Sequence, residues 1–263
     1  MSEPVANGLR LPPIDFPAGL CLLVATPIGN LDDVTLRALA ALASADVVYA
    51  EDTRRTRRLL ARYELSARLV SYHDHSRDLV VAGIVKRLRD GERVVVVSDA
   101  GTPGIADPGY TLLRALREEG LPWSIVPGPS SVLAALLLAG FPMDRFLFAG
   151  YPPRRPGPAR AFLATALAAG CTAVVLESCH RARATLSLLA ELAPAREIAL
   201  AREITKVHEE TLRGTPAQVL AQMNGPRLKG ELVIVLRAEA DVKQAGGGLA
   251  EDPSAGSLGG DDQ

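Results

Sequence analysis

Short, wholly apolar runs that end in glycine-rich loops constrain this chain more than any other feature. Residues 20–24 (LCLLV) lead into ATPIGN, and residues 94–97 (VVVV) lead into SDAGTPGIADPG. A strand that is apolar at every position is typical of a sheet buried on both faces by helices. The sequence therefore predicts an α/β fold with loops of small residues at the strand ends.

Strands and helices alternate in two successive series. The first series has predicted strands at 20–24, 46–50, 94–97 and 123–126, and helices at 36–42, 57–63, 80–88 and 110–117. The second has predicted strands at 146–148, 173–176, 198–201, about 209–212 and 232–236, and helices at 132–138, 159–169, 181–192 and 216–223. We therefore expect two α/β domains, 19–128 and 129–239, with a cleft between them, a flexible arm at 1–18 and a disordered, acidic, Gly-rich tail at 240–263.

Composition narrows the classes of protein. The chain has 263 residues, of which 48% are hydrophobic and 4% aromatic, which suffices for two packed cores. Three cysteines, Cys21, Cys171 and Cys179, show neither metal-ligand nor disulfide spacing, which favours a reducing cytosol. No run approaches the roughly 20 apolar residues of a membrane span, and the N-terminus lacks a signal-peptide pattern. We expect a soluble, cytoplasmic protein without a metal.

Loops at several strand ends favour a ligand site, because open α/β sheets bind ligands there. Asp99 can accept hydrogen bonds from ligand hydroxyl or amine groups, and Gly101 and Thr102 offer backbone N–H groups. A lone Asp-Ala-Gly would more simply form an Asx-turn, but similar loops at 25–30, 106–109 and 127–131 end other strands. The sequences G-x-G-x-x-G after the first strand and G-x-x-x-x-G-K-[ST] are absent, which argues against the standard dinucleotide and ATP loops.

Clustered arginines indicate contact with an anion. A helix after Glu51-Asp52-Thr53 carries Arg54, Arg55, Arg57 and Arg58 in its first turns, and a loop rich in Pro and Gly carries Arg154 and Arg155. Positive charge at a helix N-terminus is unfavourable, so phosphate is a reasonable partner there, the alternative being solvated helix faces. Asp52 or Thr53 is predicted to cap this helix, and capping is the main role expected of Thr53.

Charged residues at the strand ends of the second series have two interpretations. Glu177, Arg202, Glu203 and Lys206 either take part in a site or form a buried ion-pair network. In the first series, the alternating histidines of the HDH sequence at 73–75 lack a third ligand with metal spacing. They suggest a hydrogen-bonding or substrate-side role rather than zinc.

Motifs along the chain form a familiar ordered set: VATPIGNLDD, AEDTR, HDH, VSDAGTPGIADPG, PGPS, ESxHR, REITK and KGELV. In these motifs, from about residue 20 to 237, the chain resembles the ribosomal RNA small subunit methyltransferase I family of the tetrapyrrole methylase superfamily. The resemblance implies S-adenosyl-L-methionine bound in the cleft between two α/β domains, and a homodimer. It also implies 2'-O-methylation of a cytidine ribose in the decoding region of 16S rRNA in the small ribosomal subunit. One departure is the Gly-, Ser- and acid-rich sequence beyond residue 237, where many relatives carry a helical extension.

The resemblance also implies where the cofactor binds. Its expected contacts are Pro27, Gly29, Asn30, Asp99, Gly101, Thr102, Ile105, Ala106, Ser130, Ser131, Ala201 and Glu231. A ribose hydroxyl is a poor nucleophile, so a base or a cationic neighbour is expected to help it. Glu51, Glu177 and Lys206 are candidates, and the sequence favours none of them.

Two other functions stay open. A small-molecule methyltransferase of the same superfamily would act on a corrin or tetrapyrrole precursor, and the arginine clusters expected to bind RNA argue against it. A non-catalytic ribosome-assembly protein could keep the fold without the reaction. The intact cofactor loops argue against that.

Overall fold

The computed structural model describes residues 5–72, 77–105, 109–223 and 230–239. The elements of the first half are β1 (Val5–Ala6), β2 (Leu9–Arg10), β3 (Cys21–Val24), α1 (Leu36–Ser44), β4 (Val47–Ala50), α2 (Thr53–Arg62), β5 (Leu69–Ser71), α3 (Arg77–Arg89), β6 (Val94–Val97), α4 (Gly109–Glu118) and β7 (Trp123–Val126). Those of the second half are α5 (Ser131–Ala139), β8 (Phe146–Gly150), α6 (Pro156–Leu167), β9 (Thr172–Ser178), α7 (Ala182–Leu192), β10 (Ile198–Arg202), β11 (Glu210–Gly214), α8 (Pro216–Gln222) and β12 (Glu231–Leu236).

The first half is a parallel five-stranded sheet in the order β5-β4-β6-β3-β7. Its three central strands, β4, β6 and β3, are buried at every position, as their wholly apolar sequences predict, whereas the edge strand β7 is largely exposed. Leu22 and Val24 of β3 pack in the same core as α1 and α2, whereas Cys21 packs in the core with α3 and α4. Because all five strands run the same way, their carboxyl ends and the loops that follow lie at one edge.

The second half is a mixed five-stranded sheet in the order β11-β10-β12-β9-β8. β8 and β9 are parallel, and the other neighbouring pairs are antiparallel. Helix α5 packs on one face, and α6, α7 and α8 share a core on the other face. The predicted α/β fold is confirmed, with helices on both faces of each sheet.

Part of the segment expected to be a flexible arm is packed in the first half of the protein. β1 and β2 pair as a short antiparallel ribbon. Leu11 is only 1% exposed and, with Phe16, belongs to the core that includes α1. The prediction of a flexible arm is therefore wrong for this part, because these two apolar side chains anchor it.

Helices α2, α3 and α6 begin three or four residues earlier than predicted. Helix α2 begins at Thr53, and its cap is Asp52, whose carboxylate accepts a hydrogen bond from the Arg54 N–H at 2.8 Å. Of the two predicted caps, Asp52 is confirmed and Thr53 is wrong, because Thr53 is itself the first residue of the helix. Helix α6 begins at Pro156, within the loop predicted at 154–158, because proline is well tolerated in a first helical turn.

Some expectations fall outside the described residues. These are the HDH sequence at 73–75, Ala106 and the tail at 240–263. Within the part of the chain that is described, no helix combines the length and the apolar character needed to cross a membrane.

Candidate active site

A cavity of about 390 Å³ lies between the carboxyl edge of the first sheet and the second half of the chain. The loop after β6 forms one wall, and the end of β9 and the start of β12 form the other. The N-terminus of α5 also contributes to the lining. This volume is within the roughly 300–1,000 Å³ that is usual for small-molecule sites.

The loops after β3 and β6 hold one another in place at the cavity. Thr26 and Gly101 exchange both backbone hydrogen bonds, with N···O distances of 2.9 and 3.0 Å. The Thr26 hydroxyl also donates to the Ser98 carbonyl at 3.2 Å. Gly101 has φ +78°, where a Cβ would be strained. The Gly101 N–H, expected to bind a ligand, is therefore used within the protein, which fixes the loop before a ligand arrives.

Asp99 connects the first sheet to helix α2. Its carboxylate accepts a hydrogen bond from the Asp52 N–H at 2.7 Å, and Arg55 Nε lies 3.5 Å from its other oxygen. The same guanidinium lies 3.7 Å from a carboxylate oxygen of Glu231, at the start of β12. Arg55 was expected to bind RNA, but the structure places it in the cavity wall between the two halves.

Lys206 lies between two carboxylates of the second half. Its Nζ is 3.0 Å from Glu203 Oε1 and 3.3 Å from Glu231 Oε2. Burial opposes ionisation of Glu203, but hydrogen bonds from the Glu231 backbone and from Lys206 outweigh it and lower the pKa of Glu203. An ion-paired ammonium has no lone pair with which to accept a proton, so this arrangement argues against Lys206 as the base.

The loop after β3 touches the second half at Gly29. A Cβ placed on Gly29 would lie 2.6 Å from Thr205 Oγ1 and 2.7 Å from the Ile204 carbonyl oxygen, closer than side chains tolerate. The Asn30 N–H donates to Thr205 Oγ1 at 2.9 Å. Glu203 and Thr205 both have positive φ, at 51° and 66°, conformations that cost energy for residues other than glycine. This close approach was not visible in the sequence.

Glu177 is buried at the cavity, with 3% of its surface exposed. Its carboxylate accepts hydrogen bonds from the Ser178 N–H at 2.8 Å and from the Thr185 hydroxyl, and Arg181 lies 3.6 Å away. Arg181 also donates to the Pro152 carbonyl at 2.9 Å. With its oxygens bound in this way, Glu177 is better suited to holding the cavity wall than to accepting a proton from substrate.

Glu51 and Tyr151 complete the polar lining. Glu51 follows β4 and lines both the main cavity and a neighbouring polar pocket of about 400 Å³. Tyr151 follows β8 and was missed in the sequence, where only its place after a predicted strand could have indicated it. Its partial burial, together with the carboxylates of Glu231, Glu177 and Glu51, raises the pKa of its phenol.

The structure brings most of the expected cofactor residues together. Those that line the main cavity are Asp99, Gly101, Thr102, Ile105, Ser130, Ser131 and Glu231. Pro27 and Gly29 line an adjoining cavity of about 300 Å³ with Lys206. Asn30 contacts Thr205 instead, and Ala201 is fully buried in the core beneath α5, because its side chain points to that face of β10. Ala106 lies outside the described residues.

The arginines expected to bind RNA differ in their surroundings. Arg54, Arg57, Arg154 and Arg155 are exposed, and Arg58 is exposed but also lines the adjoining cavity. Arg54 pairs with Asp52 at 2.7 Å and lowers the pKa of that carboxyl well below its usual range. Among the residues that are described, no three His, Cys, Asp or Glu side chains are grouped to hold a metal ion.

Comparison with known proteins places this site in a family. Residues 21–220 match the tetrapyrrole (corrin/porphyrin) methylases. Ribosomal RNA small subunit methyltransferase I of Neisseria meningitidis serogroup B is 44% identical over 230 residues, 87% of this chain and 79% of that protein. The protein of the same name from Thermotoga maritima is 38% identical over 218 residues, 83% of this chain and 98% of that protein.

Solved structures agree on the fold. Uroporphyrin-III C-methyl transferase of Thermus thermophilus complexed with S-adenyl homocysteine has a TM-score of 0.58 at 21% identity, covering 82% of this chain and 96% of that one. A diphthine synthase has a TM-score of 0.66 at 15% identity, covering 83% and 89%. The family match and the relatives at 38–44% identity confirm the family resemblance carried by the sequence motifs.

Proposed function

The chain belongs to the tetrapyrrole (corrin/porphyrin) methylase family, and on that premise we propose that it transfers a methyl group from S-adenosyl-L-methionine to small-subunit ribosomal RNA. The acceptor in this proposal is the 2'-hydroxyl of a cytidine in the decoding region of 16S rRNA. The observation that carries it is an acid-lined cavity directly beside a helix that carries exposed arginines. A ribosomal substrate implies a cytoplasmic enzyme.

The cavity residues fit S-adenosyl-L-methionine. This cofactor has a sulfonium cation, an ammonium group, ribose hydroxyls and a flat adenine ring. Carboxylates of Asp99, Glu231 and Glu51 line the cavity and favour a cation, and Asp99 would accept hydrogen bonds from hydroxyl or amine groups. Leu176 and Val233 line the same cavity and would supply apolar surface for the ring. The structurally similar Thermus enzyme was solved with S-adenyl homocysteine, which supports the same assignment.

The chemistry demands position more than acid or base strength. When bound, the cofactor supplies a methyl group already activated by the sulfonium. The protein must hold the ribose oxygen in line with it and exclude water. Glu51 is the best placed of the three candidate bases, because it lines both the main cavity and the pocket beside α2. Lys206 is ion-paired and Glu177 is committed to its own hydrogen bonds.

Methyl-transfer assays test the proposal. Small subunits that lack the modification would be incubated with tritiated cofactor, and the labelled ribose would be mapped. We expect label on one cytidine of assembled subunits and little on a short oligonucleotide, because discontinuous basic patches suit a shaped surface. Label on a corrin precursor instead would indicate the small-molecule alternative, and subunit binding without any transfer would indicate the non-catalytic one.

Two variants separate cofactor binding from RNA binding. Asp99→Ala removes the acceptor of the Asp52 N–H and a partner of Arg55. The free energy of cofactor binding, measured by calorimetry, should become less favourable by roughly 1–3 kcal/mol, and subunit binding should stay nearly intact. Arg57→Ala, at an exposed arginine of α2 that forms no ion pair with any described residue, should weaken subunit binding and flatten its salt dependence, with cofactor affinity unchanged. The reverse result would place that face of α2 in the cofactor site.

We propose that the enzyme is a homodimer, as the family resemblance implied. Apolar side chains are exposed on the edge strands of both sheets and on α5. Ile125 of β7 is 46% exposed and Leu137 of α5 is 67% exposed, and Trp123 and Phe146 are also exposed. Such surfaces on edge strands are usually covered. In sedimentation, Ile125→Lys should convert a dimer into a monomer. Val207→Lys is the control: Val207 is 96% exposed and lies outside the edge strands and α5, so this variant should remain a dimer. A wild-type monomer would contradict the proposal.

A further inference from the structure

A second cavity shares a wall with the candidate active site. Its volume is about 300 Å³, and Arg55, Asp99 and Glu231 line both cavities. Arg58 of α2 and Lys206 of the second half also line it. A group bound there would lie next to the main cavity, separated from it by the Arg55 side chain and its two carboxylate partners.

The second cavity has a net positive charge, because one of its cations lacks a carboxylate partner in the part of the chain that the structure describes. Arg55 lies near Asp99 and Glu231, and Lys206 pairs with Glu203 and Glu231. Arg58 makes no ion pair with any residue in the described ranges of the chain. It therefore adds an uncompensated guanidinium to a wall whose other cations are paired.

The other pocket that meets the main cavity has the opposite character. It is lined by the carboxylates of Glu51, Asp52 and Asp99, and Arg54, its cation, is already paired with Asp52 at 2.7 Å. An anion is disfavoured there and favoured beside Arg58. Every internal ribose of an RNA strand is flanked by phosphodiesters, so a ribose presented to the main cavity brings an anion to one of its neighbours.

We propose that the second cavity binds a phosphodiester of the RNA strand next to the methylated ribose, with Arg58 as its cation. This inference rests on the proposed function and adds a subsite to it. An arginine can hold a phosphate through two parallel N–H donors, which fixes orientation as well as position. Arg58 thereby acts as a positioning residue, because fixing the phosphate limits where the neighbouring 2'-oxygen can lie.

The test compares Arg58→Gln with a matched control, Arg117→Gln. Arg117 is exposed on α4, whose core lies on the opposite face of the first sheet from that of α2. Subunit binding would be measured by filter retention between about 50 and 200 mM salt, and methyl transfer by steady-state kinetics. We expect Arg58→Gln to reduce the salt slope of binding by about one and to raise KM for subunits, with cofactor affinity unchanged. Arg58→Lys should restore the slope, and Arg117→Gln should match wild type.

Every alternative outcome would contradict either the phosphate subsite or the proposed function. If the wild type methylates subunits and Arg58→Gln matches Arg117→Gln in slope and KM, the subsite is wrong and the function stands. If Arg58→Gln loses cofactor affinity, Arg58 belongs to the cofactor site instead. If the wild type transfers no methyl yet Arg58→Gln still lowers the salt slope of subunit binding, the phosphate site stands and the reaction is wrong. Failure of the wild type to bind subunits at all would overturn both.

Discussion

Gly29→Ala should damage the contact between the two halves of the protein. The new methyl would lie 2.6 Å from Thr205 Oγ1 and 2.7 Å from the Ile204 carbonyl oxygen, and one of these partners is backbone that cannot rotate away. The turn must move by several tenths of an ångström, although Thr205 already has a costly φ of 66°. Overpacking of this kind costs about 1–3 kcal/mol. Loss of the Asn30 N–H bond to Thr205 would add about 0.5–1.5 kcal/mol.

Thermal unfolding and cofactor calorimetry would measure the effect. For a chain of this size, each kcal/mol lowers Tm by about 2–4 °C, so a loss of several degrees is expected. Cofactor affinity should fall as well, because the displaced turn carries Lys206, the partner of Glu231 in the cavity wall. Gly157→Ala is the control, since a Cβ there meets nothing within 4 Å. An unchanged Tm and cofactor affinity for Gly29→Ala would refute the close contact.

Three further predictions address the cavity and its supports. Burial raises the pKa of the Cys21 thiol to about 12, so Cys21 should resist alkylation in the native protein, while Cys171 and Cys179 react. S-adenosylhomocysteine should protect Cys179 alone, because Cys179 is the one of these three that lines the cavity. Because the pKa of Glu203 is lowered, its ionised carboxylate stabilises the fold fully above about pH 4.3, and this stabilisation is lost in acid. Glu203→Gln should therefore have a lower free energy of unfolding than wild type at pH 7, and the difference should disappear as the pH falls. Glu177→Gln should lower the free energy of unfolding by about 1–3 kcal/mol in urea, and an unchanged midpoint would contradict the buried network.

The strands and their loops could be predicted because the relevant signals are local. β3 and β6 are short runs of apolar residues, and a run of that kind satisfies a strand buried on both faces. The loops after them contain Gly29 and Asp99, respectively, within a few residues of the strand ends. In a parallel sheet those ends share one edge, so their convergence follows from the topology alone.

The contacts across the cleft could not be predicted in the same way. The approach of Gly29 to Thr205 joins residues separated by more than half of the chain, and nothing in either local sequence specifies the partner. For Arg55 a signal did exist. With α2 begun at Thr53 rather than 57, Arg55 lies one turn before the buried Leu59 and beside the apolar stripe, which turns it toward the protein.

Helix α2 also shows why the phosphate expected at its N-terminus is better placed elsewhere. Cations in a first turn oppose the helix dipole, and this imbalance suggested an anion. The protein supplies two carboxylates for it: Asp52 caps the helix and pairs with Arg54, and Asp99 accepts the Asp52 N–H and lies 3.5 Å from Arg55. The first turn is therefore balanced without a ligand. Arg58, one turn further on, receives no such carboxylate among the described residues, so an external anion is favoured at the second cavity rather than at the helix terminus.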